Sequence, residues 1–309
     1  SPAWALRPPA TAPPRKVEGL AHGLLTPLSL RNRDFQNRRE DVVALINAHC
    51  DVVLGVSDRV CDVAAHFGVK PALLHTSYIG TNQAERFSQT APKATILRED
   101  GTLTLAYLGY MRRDKGFFFL LDALAALPAA HAARIRLVVC AARGDDGTMH
   151  RLAALSDRFA GLYYANGYSH EHLDDLLADV DVGLVPVLWE DNLPQVAIEM
   201  HARHIPLLTS DLGGAKELSN CAEMVFPSGS IEGFAERISA LLDGKITSEA
   251  YWKNAQSPVS MPAHPAELRG ISTGPLTPSQ RLPKPLALVD KPAAKLVTRA
   301  KAETAKKPA

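Results

Sequence analysis

A short turn between residues 109 and 116 concentrates positive charge. Its sequence is Gly-Tyr-Met-Arg-Arg-Asp-Lys-Gly, so three cations and two glycines lie within eight residues. Guanidinium and ammonium groups neutralise phosphate oxygens, and glycine lets the backbone approach an anion closely. Such a turn suits a diphosphate. An exposed basic loop has the same composition, and this turn alone does not decide between the two interpretations.

A second group of chemically capable side chains lies between residues 189 and 199. Asp191 and Glu199 are separated by seven residues, and Pro194 between them suits the first turn of a helix. Two carboxylates near one helix end can accept hydrogen bonds from sugar and ribose hydroxyls. Alternatively, Asp191 complements the helix dipole and Glu199 is solvated, and charge placement alone favours that alternative.

A glycine pair, Gly213 and Gly214, forms a third candidate turn after the buried apolar run 206–210. Glycines let backbone amides approach a ligand, but the same residues also form ordinary tight turns. This pair is a weak signal on its own.

The segments that must position these turns alternate between strands and helices. Apolar runs predict strands at 51–56, 72–78, 103–108, 135–141, 162–165, 182–187, 206–210 and 223–226. Helical patterns lie between them at 57–67, 116–127, 150–159, 170–178, 193–203, 215–218 and 231–242. Apolar strands linked by helices indicate an α/β fold, a Rossmann-like parallel sheet with helices on both faces. Ligands of such sheets bind beyond the carboxyl ends of the strands, where the three turns lie.

Overall composition is that of an ordinary soluble protein. Lysine and arginine number 34 against 33 acidic residues, so nothing in the net charge indicates a nucleic-acid partner. Three of the four cysteines lie in apolar segments, which predicts reduced thiols in a cytoplasmic protein. The proline-rich start does not resemble a secretory signal, and no apolar stretch is long enough to span a bilayer.

Both ends of the chain differ in composition from the middle. Residues 1–25 and 251–309 are predicted to be disordered, the second segment being rich in proline, alanine and lysine. From residue 255 onward, nine basic residues face three acidic ones, a net charge of +6. This tail is either simply solvated or a weak tether to another protein or to the anionic lipid of a membrane surface.

Taken together, residues 105–242 resemble the C-terminal, nucleotide-sugar-binding domain of GT-B glycosyltransferases, in particular of retaining family 4. The shared pattern is a glycine, a basic loop and Lys-Gly after the first strand, then an acid, seven residues, a glutamate, a proline-led strand and Gly-Gly. The matching residues here are Gly109, Arg112, Arg113, Lys115, Gly116, Asp191, Glu199, Pro206, Gly213 and Gly214. The resemblance implies a donor-binding domain at 99–250, preceded at 26–98 by a truncated remnant of the N-terminal, acceptor-side domain and the crossover.

The same resemblance implies a metal-independent, retaining enzyme of hexosyltransferase type that needs no cofactor. It would transfer a sugar from a nucleotide-diphosphate sugar to a glycan, lipid-linked or small-molecule acceptor. Lys115, with Arg112 or Arg113, would stabilise the leaving diphosphate. Asp191 would contact the sugar and Glu199 the ribose, completing the implied catalytic set. The other implied donor-binding residues are Gly109, Gly116, Gly167, Tyr168, Asn192, Leu193, Val196, Gly213 and Gly214.

Some positions depart from the family pattern. Tyr110 stands where the family usually has arginine, Asp191 replaces a glutamate, and much of the usual N-terminal domain is missing. Two alternatives therefore stay open: a nucleotide-sugar-binding module without catalysis, and a same-fold nucleotide-sugar epimerase or sugar phosphorylase. An oxidoreductase is not expected, because no GxGxxG follows a predicted strand.

Two patterns resemble metal sites without fitting one. Asp179-Val180-Asp181 has the DxD spacing of metal-dependent transferases, but it straddles a helix end and a buried strand, where acids more often cap or turn. The histidine pairs at 170/172 and 201/204 have too few neighbouring ligands for zinc. We therefore predict no metal site.

Overall fold

The computed structural model describes residues 15–16, 29–30 and 32–273. Its strands are β1 (Arg15–Lys16), β2 (Ser29–Leu30), β3 (Val53–Gly55), β4 (Leu74–Thr76), β5 (Leu103–Gly109), β6 (Ile135–Ala141), β7 (Gly161–Asn166), β8 (Val182–Val185), β9 (Leu207–Ser210) and β10 (Val225–Phe226). Its helices are α1 (Asn32–His49), α2 (Asp58–His66), α3 (Ala84–Gln89), α4 (Phe117–Ala125), α5 (Ala129–Ala132), α6 (Asp146–Ala153), α7 (Leu173–Leu177), α8 (Gln195–His201), α9 (Ile231–Leu242), α10 (Ser248–Trp252) and α11 (Ala263–Thr273). Short 3-10 turns lie at Pro71–Leu73, His170–His172, Ala215–Leu218 and Ala222–Met224.

The main sheet has six strands in the order β10-β9-β8-β5-β6-β7, and every neighbouring pair is parallel. Helices cover both of its faces, which confirms the predicted fold class. The chain runs outward from β5 through β6 to β7, then crosses to β8 on the other side of β5 and continues to β9 and β10. The crevice between the carboxyl ends of β5 and β8 is therefore the point at which such sheets bind ligands.

The core lies on either side of β5, of which residues 103–108 are buried. On helix α4, Phe117, Leu120 and Leu124 are at most 1% exposed. Burying each such side chain contributes about 1.5–3 kcal/mol. This helix and the central strand thus form a rigid base for the turn that joins them.

A smaller parallel pair, β3 and β4, lies outside the main sheet, with helix α2 between the two strands. The helix begins after Ser57, whose side chain accepts a hydrogen bond from the Val60 N–H, as the sequence predicts. Further along, the backbone N–H of Thr81 donates to Val259 O at 2.8 Å. The end of the described chain therefore returns to the segment that follows β4.

The predicted helix at 150–159 is wrong in its bounds, because α6 covers Asp146–Ala153. Asp145 is the reason: its carboxylate accepts a hydrogen bond from the Thr148 N–H at 2.7 Å and so begins the helix earlier. Helix α1 was not predicted. Its largely polar sequence, which leaves Phe35, Val42 and Leu45 about half exposed, gives little apolar periodicity to detect.

Predicted disorder at 251–309 is wrong for residues 251–273, which include the end of α10 and helix α11. Tyr251 is completely buried, and a Cβ on Gly80 would lie 2.8 Å from the His264 Cβ, so this segment packs on the rest of the fold. The remaining tail, 274–309, lies outside the described residues, as do 1–14, 17–28 and 31. Eight of the nine basic residues that follow residue 255 lie in that remaining tail.

The four cysteines are free thiols, and Cys61, Cys140 and Cys221 are buried. Burial raises the pKa of the Cys140 thiol to about 11. Across the part of the chain that the structure describes, no helix has the length and apolar character needed to cross a bilayer.

Candidate functional site

A cavity of about 730 Å³ lies at the carboxyl ends of β5 and β8. The residues of its wall that the sequence predicts are Gly109, Lys115, Gly167, Tyr168, Asp191, Asn192, Leu193, Val196 and Glu199. The turn after β5, the turn before α8 and the end of β7 thus meet in one space. The structure brings together the acids and one of the cations that the sequence analysis singled out.

Lys115 reaches this cavity because the turn after β5 packs tightly on the end of β8. Gly116 has φ +75°, and a Cβ there would lie 1.7 Å from the Pro186 carbonyl oxygen, so only glycine fits. The Lys115 Nζ atom lies 2.6 Å from Asp191 Oδ2 and 5.1 Å from the centroid of the Trp189 ring. A lysine and a carboxylate from two different turns therefore form an ion pair in the cavity wall.

Asp191 lies in a turn that the glycine pair supports from behind. The Gly214 N–H donates to Asp191 O at 3.0 Å, and a Cβ on Gly213 would lie 2.2 Å from the same oxygen. Neither glycine lines the cavity. Their predicted role, contact with the donor, does not match this placement, because they pack on the backbone of residues 191–192 instead.

Glu199 points into the other end of the cavity from helix α8 and is only 4% exposed. Its Oε2 accepts a hydrogen bond from the Tyr168 hydroxyl at 3.1 Å, and its Oε1 lies 3.2 Å from His170 Nδ1. Burial raises the pKa of Tyr168, and the neighbouring Glu199 carboxylate raises it further, so this hydroxyl stays a donor. The carboxylate is thus held by side chains from the end of β7 and the turn after it.

Arg112, Arg113 and Gly116 are placed outside the cavity wall. The Arg112 Nε atom lies 3.0 Å from Asp114 Oδ1, and its side chain is 63% exposed. Arg113 is also exposed. Of the three cations of the basic turn, Lys115 alone lines the cavity, a distinction that sequence spacing cannot make.

The wall also contains residues that were not predicted as site residues, among them Tyr110, His170 and Gln195. Tyr110 counted only as a departure from the family pattern, and His170 only as a poor zinc ligand. Both residues follow the carboxyl end of a parallel strand, β5 or β7, and that position is a signal that could have found them, because ligands of such sheets bind beyond those ends. The Tyr107 hydroxyl donates to Tyr110 O at 2.7 Å and fixes the start of the basic turn.

The second acid of the DxD sequence, Asp181, is buried and paired with two basic side chains. Asp181 is 3% exposed, and its carboxylate lies 2.8 Å from Lys93 Nζ and 2.7 Å from Arg98 Nε. Thr104 N–H donates to it at 2.9 Å. Within residues 32–273, no three histidine, cysteine, aspartate or glutamate side chains are grouped as metal ligands.

Residues 102–244 match the family model described as Glycosyl transferases group 1. The matched region runs from the start of β5 to the end of α9, and so contains the main sheet and every residue of the cavity wall. No curated protein sequence gives a significant match to the chain.

Solved glycosyltransferase structures share the fold. The lipopolysaccharide outer core galactosyltransferase WaaB has a TM-score of 0.59 at 12% identity, covering 77% of this chain and 66% of that one. Sucrose-phosphate synthase from Thermosynechococcus elongatus has a TM-score of 0.58 at 20% identity, covering 77% and 61%. HepE of Anabaena, in complex with UDP, has a TM-score of 0.57 at 17% identity, covering 77% and 68%. The chain thus has the GT-B fold and spans roughly two thirds of the length of these proteins.

Proposed function

We propose that this chain is a GT-B glycosyltransferase that binds a nucleotide-diphosphate sugar in the cavity at the ends of β5 and β8. The family match over residues 102–244 and the shared fold support sugar transfer from a nucleotide-sugar. The observation that carries the proposal is the convergence of Lys115, Asp191 and Glu199 on one cavity.

Lys115 binds the diphosphate in this proposal. Its ammonium group is partly buried beside Trp189, where charge acts more strongly than in bulk water. As the glycosidic bond breaks, negative charge develops on the leaving diphosphate, and a fixed cation stabilises that charge. Arg112 and Arg113 lie on the solvent side of the same turn and supply further positive charge.

The two acids bind hydroxyl groups at opposite ends of the donor. Glu199, already oriented by Tyr168, accepts hydrogen bonds from the ribose, and the base lies beside Gly167. Asp191 and the backbone at Asn192–Leu193 contact the sugar. Positioning and leaving-group stabilisation then supply most of the rate enhancement.

The proposal includes retention of anomeric configuration and independence of metal ions, because the motif residues match those of retaining family 4. A hexose donor is supported by the comparison proteins, which include a galactosyltransferase and a sucrose-phosphate synthase. The acceptor is a glycan, a lipid-linked sugar or a small molecule.

Calorimetric titration with UDP, GDP and ADP, each with and without EDTA, tests the donor site. We expect one diphosphate to bind in the micromolar range, equally well with chelator. Lys115→Ala should weaken binding by about 1.5–3 kcal/mol, the usual cost of losing a charged hydrogen bond.

Lys245→Ala is the matched control, because Lys245 is 72% exposed and pairs only locally with Asp243. It should leave the affinity unchanged. Binding that disappears on chelation, or equal losses in the two variants, would show that Lys115 does not hold the diphosphate.

A nucleotide-sugar-binding module without catalysis is the second candidate. It is favoured by one observation, that of the three cations of the basic turn only Lys115 lines the cavity. Release of free sugar or a glycosylated acceptor from the donor separates an enzyme from such a module. Epimerised nucleotide-sugar, or sugar phosphate formed with inorganic phosphate, would instead identify a same-fold epimerase or phosphorylase.

A further inference from the structure

The start of helix α2 contacts the turn that carries Asp191. Three of its residues, Ser57, Asp58 and Arg59, make hydrogen bonds to residues more than a hundred positions away in the chain. None of the three lines the cavity. This contact therefore lies behind the candidate site rather than within it.

Arg59 makes a two-pronged ion pair with Glu190, the residue immediately before Asp191. Its Nε lies 2.8 Å from Glu190 Oε2, and its Nη2 contacts Oε1. The two side chains are 12% and 14% exposed, so solvent screens the pair only weakly. Gly213 N–H also donates to Glu190 Oε2, at 3.0 Å. Burial alone raises the pKa of Glu190, but the hydrogen bonds that its carboxylate accepts, the bond from Arg59 foremost, outweigh burial and lower the pKa to about 2, so the group stays ionised.

Ser57 holds the other side of the same turn. Its Oγ donates to Asn192 O at 2.9 Å, and a Cβ added to Gly214 would lie 2.7 Å from that Oγ. Asp191 thus has a neighbour fixed on each side, Glu190 by Arg59 and Asn192 by Ser57.

Helix α2 is itself hydrogen-bonded to Glu217, which lies in the 3-10 turn that follows β9. Both oxygens of Glu217 accept hydrogen bonds from its first turn, from Asp58 N–H at 2.9 Å and Arg59 N–H at 2.8 Å. The Tyr78 hydroxyl donates to the same carboxylate at 2.8 Å. The helix start is therefore a fixed support and not a mobile one.

We propose that Arg59 and Ser57 are positioning residues for the sugar half of the donor site, an inference that depends on the function proposed above. They contact no reacting atom. They set the direction in which the Asp191 carboxylate enters the cavity, because they fix the backbone on both sides of it. Lys115 and Glu199 lie on other elements, the β5 turn and helix α8, and the Lys115 side chain meets the supported turn only through its ion pair with Asp191.

This division predicts a selective defect. Loss of Arg59 removes the two-pronged ion pair from the largely buried Glu190 carboxylate, and the 190–192 turn can then shift. Recognition of the sugar should suffer, whereas the diphosphate and ribose contacts persist. A residue that merely holds the fold together would instead weaken both parts of the donor equally.

The test compares binding of UDP and UDP-glucose by calorimetry, or of the GDP or ADP pair if the wild type prefers that base. In Arg59→Met and Glu190→Gln, the Kd of the nucleotide should stay within about twofold of wild type. The ratio of the nucleotide-sugar Kd to the nucleotide Kd should rise about tenfold, as for a lost charged hydrogen bond. Turnover should fall about 10- to 100-fold, the scale of a small misplacement at a reacting centre.

Arg59→Lys keeps the charge but makes a single contact, so its ratio should lie between those of the wild type and Arg59→Met. Arg151→Met is the control for removing a surface arginine, since Arg151 pairs with Asp122 at 2.6 Å and touches none of these residues. It should behave as wild type.

The proposal is overturned if the ratio keeps its wild-type value in folded Arg59→Met or Glu190→Gln. That outcome includes the case in which both affinities weaken equally. Thermal unfolding of each variant identifies those that remain folded, and Ser57→Ala, with the same expected direction, serves if Arg59→Met does not fold. If the wild type binds no nucleotide at all, the proposed function itself fails, which is a different outcome from an unchanged ratio.

Discussion

At the scale of single residues, the Lys115–Asp191 pair links the two tasks assigned to the cavity. The ammonium group must serve a diphosphate, yet its nearest partner at 2.6 Å is the carboxylate proposed to hold the sugar. In the proposed function, donor binding therefore redistributes the contacts of Nζ between Asp191 and phosphate oxygens.

Asp191→Asn separates these tasks. The nucleotide diphosphate should bind about 0.5–1 kcal/mol more tightly, because a competing and repelling carboxylate is gone. Sugar turnover should fall at least about tenfold, since the amide is a weaker acceptor. Calorimetry and initial rates measure the two effects, with Asp243→Asn as an exposed control; parallel losses of affinity and rate would contradict the assignment.

Gly116 offers a second residue-scale prediction, on stability. An alanine there needs φ +75° and places its Cβ 1.7 Å from the Pro186 oxygen, so the β5 turn must move. We expect Gly116→Ala to lower the free energy of unfolding by about 2–4 kcal/mol in urea titrations.

Gly229 is a matched comparison, because its φ is also +75° and nothing lies within 4 Å of an added Cβ. Gly229→Ala should cost only the backbone conformation, about 1–2 kcal/mol. Similar losses in the two variants would mean that close packing against β8 does not constrain the basic turn.

At the scale of elements, helix α8 connects the candidate site to a buried histidine. Glu199 lies in its second half, and His201 lies two residues on, completely buried against Trp252 and Tyr251. Its Nε2 donates to Gln256 O at 2.8 Å. Burial lowers the pKa of His201 to about 4, so the folded protein keeps this ring neutral.

A lowered histidine pKa makes stability depend on pH in one direction. The unfolded chain takes up a proton as pH falls below 6.5, while the folded chain resists until about 4, so stability decreases across that window. Between pH 7 and pH 5, His201 should account for a loss of about 2 kcal/mol. Urea unfolding of His201→Gln should show a correspondingly flatter pH dependence, whereas exposed His150→Gln should follow the wild type; identical slopes in all three would refute the assignment.

The elements themselves were largely predictable. Continuous apolar runs located the strands of the main sheet, and Ile231–Leu242 was predicted with its observed bounds. The errors have local causes: a capping aspartate before α6 was overlooked, and α1 has too polar a sequence to show its period. Patterns of apolar residues report burial, and α1 buries little.

At the scale of the whole molecule, the parts of the site that lie in local sequence motifs were predictable. The turn after β5 and the two acids were identified, because strand ends in a parallel sheet meet at one edge. Arg59 was not, since it is separated from Glu190 by 131 residues and belongs to a segment with no motif of its own. The packing of Tyr251 against the sheet was missed for a related reason, because composition averaged over a long tail concealed a short buried stretch.

The contact between α2 and the 190–192 turn has a consequence for engineering this fold by recombination. A chimera that takes its first hundred residues from a GT-B glycosyltransferase would keep the sheet, the basic turn and both acids, yet would lose Arg59, which pairs with Glu190, and Ser57, which donates to Asn192 O. Grafts that carry a serine and an arginine at the equivalents of Ser57 and Arg59 should retain donor-sugar selectivity, and grafts lacking them should become permissive or inactive. The exchangeable unit is therefore the region of the main sheet together with the helix start that supports the 190–192 turn.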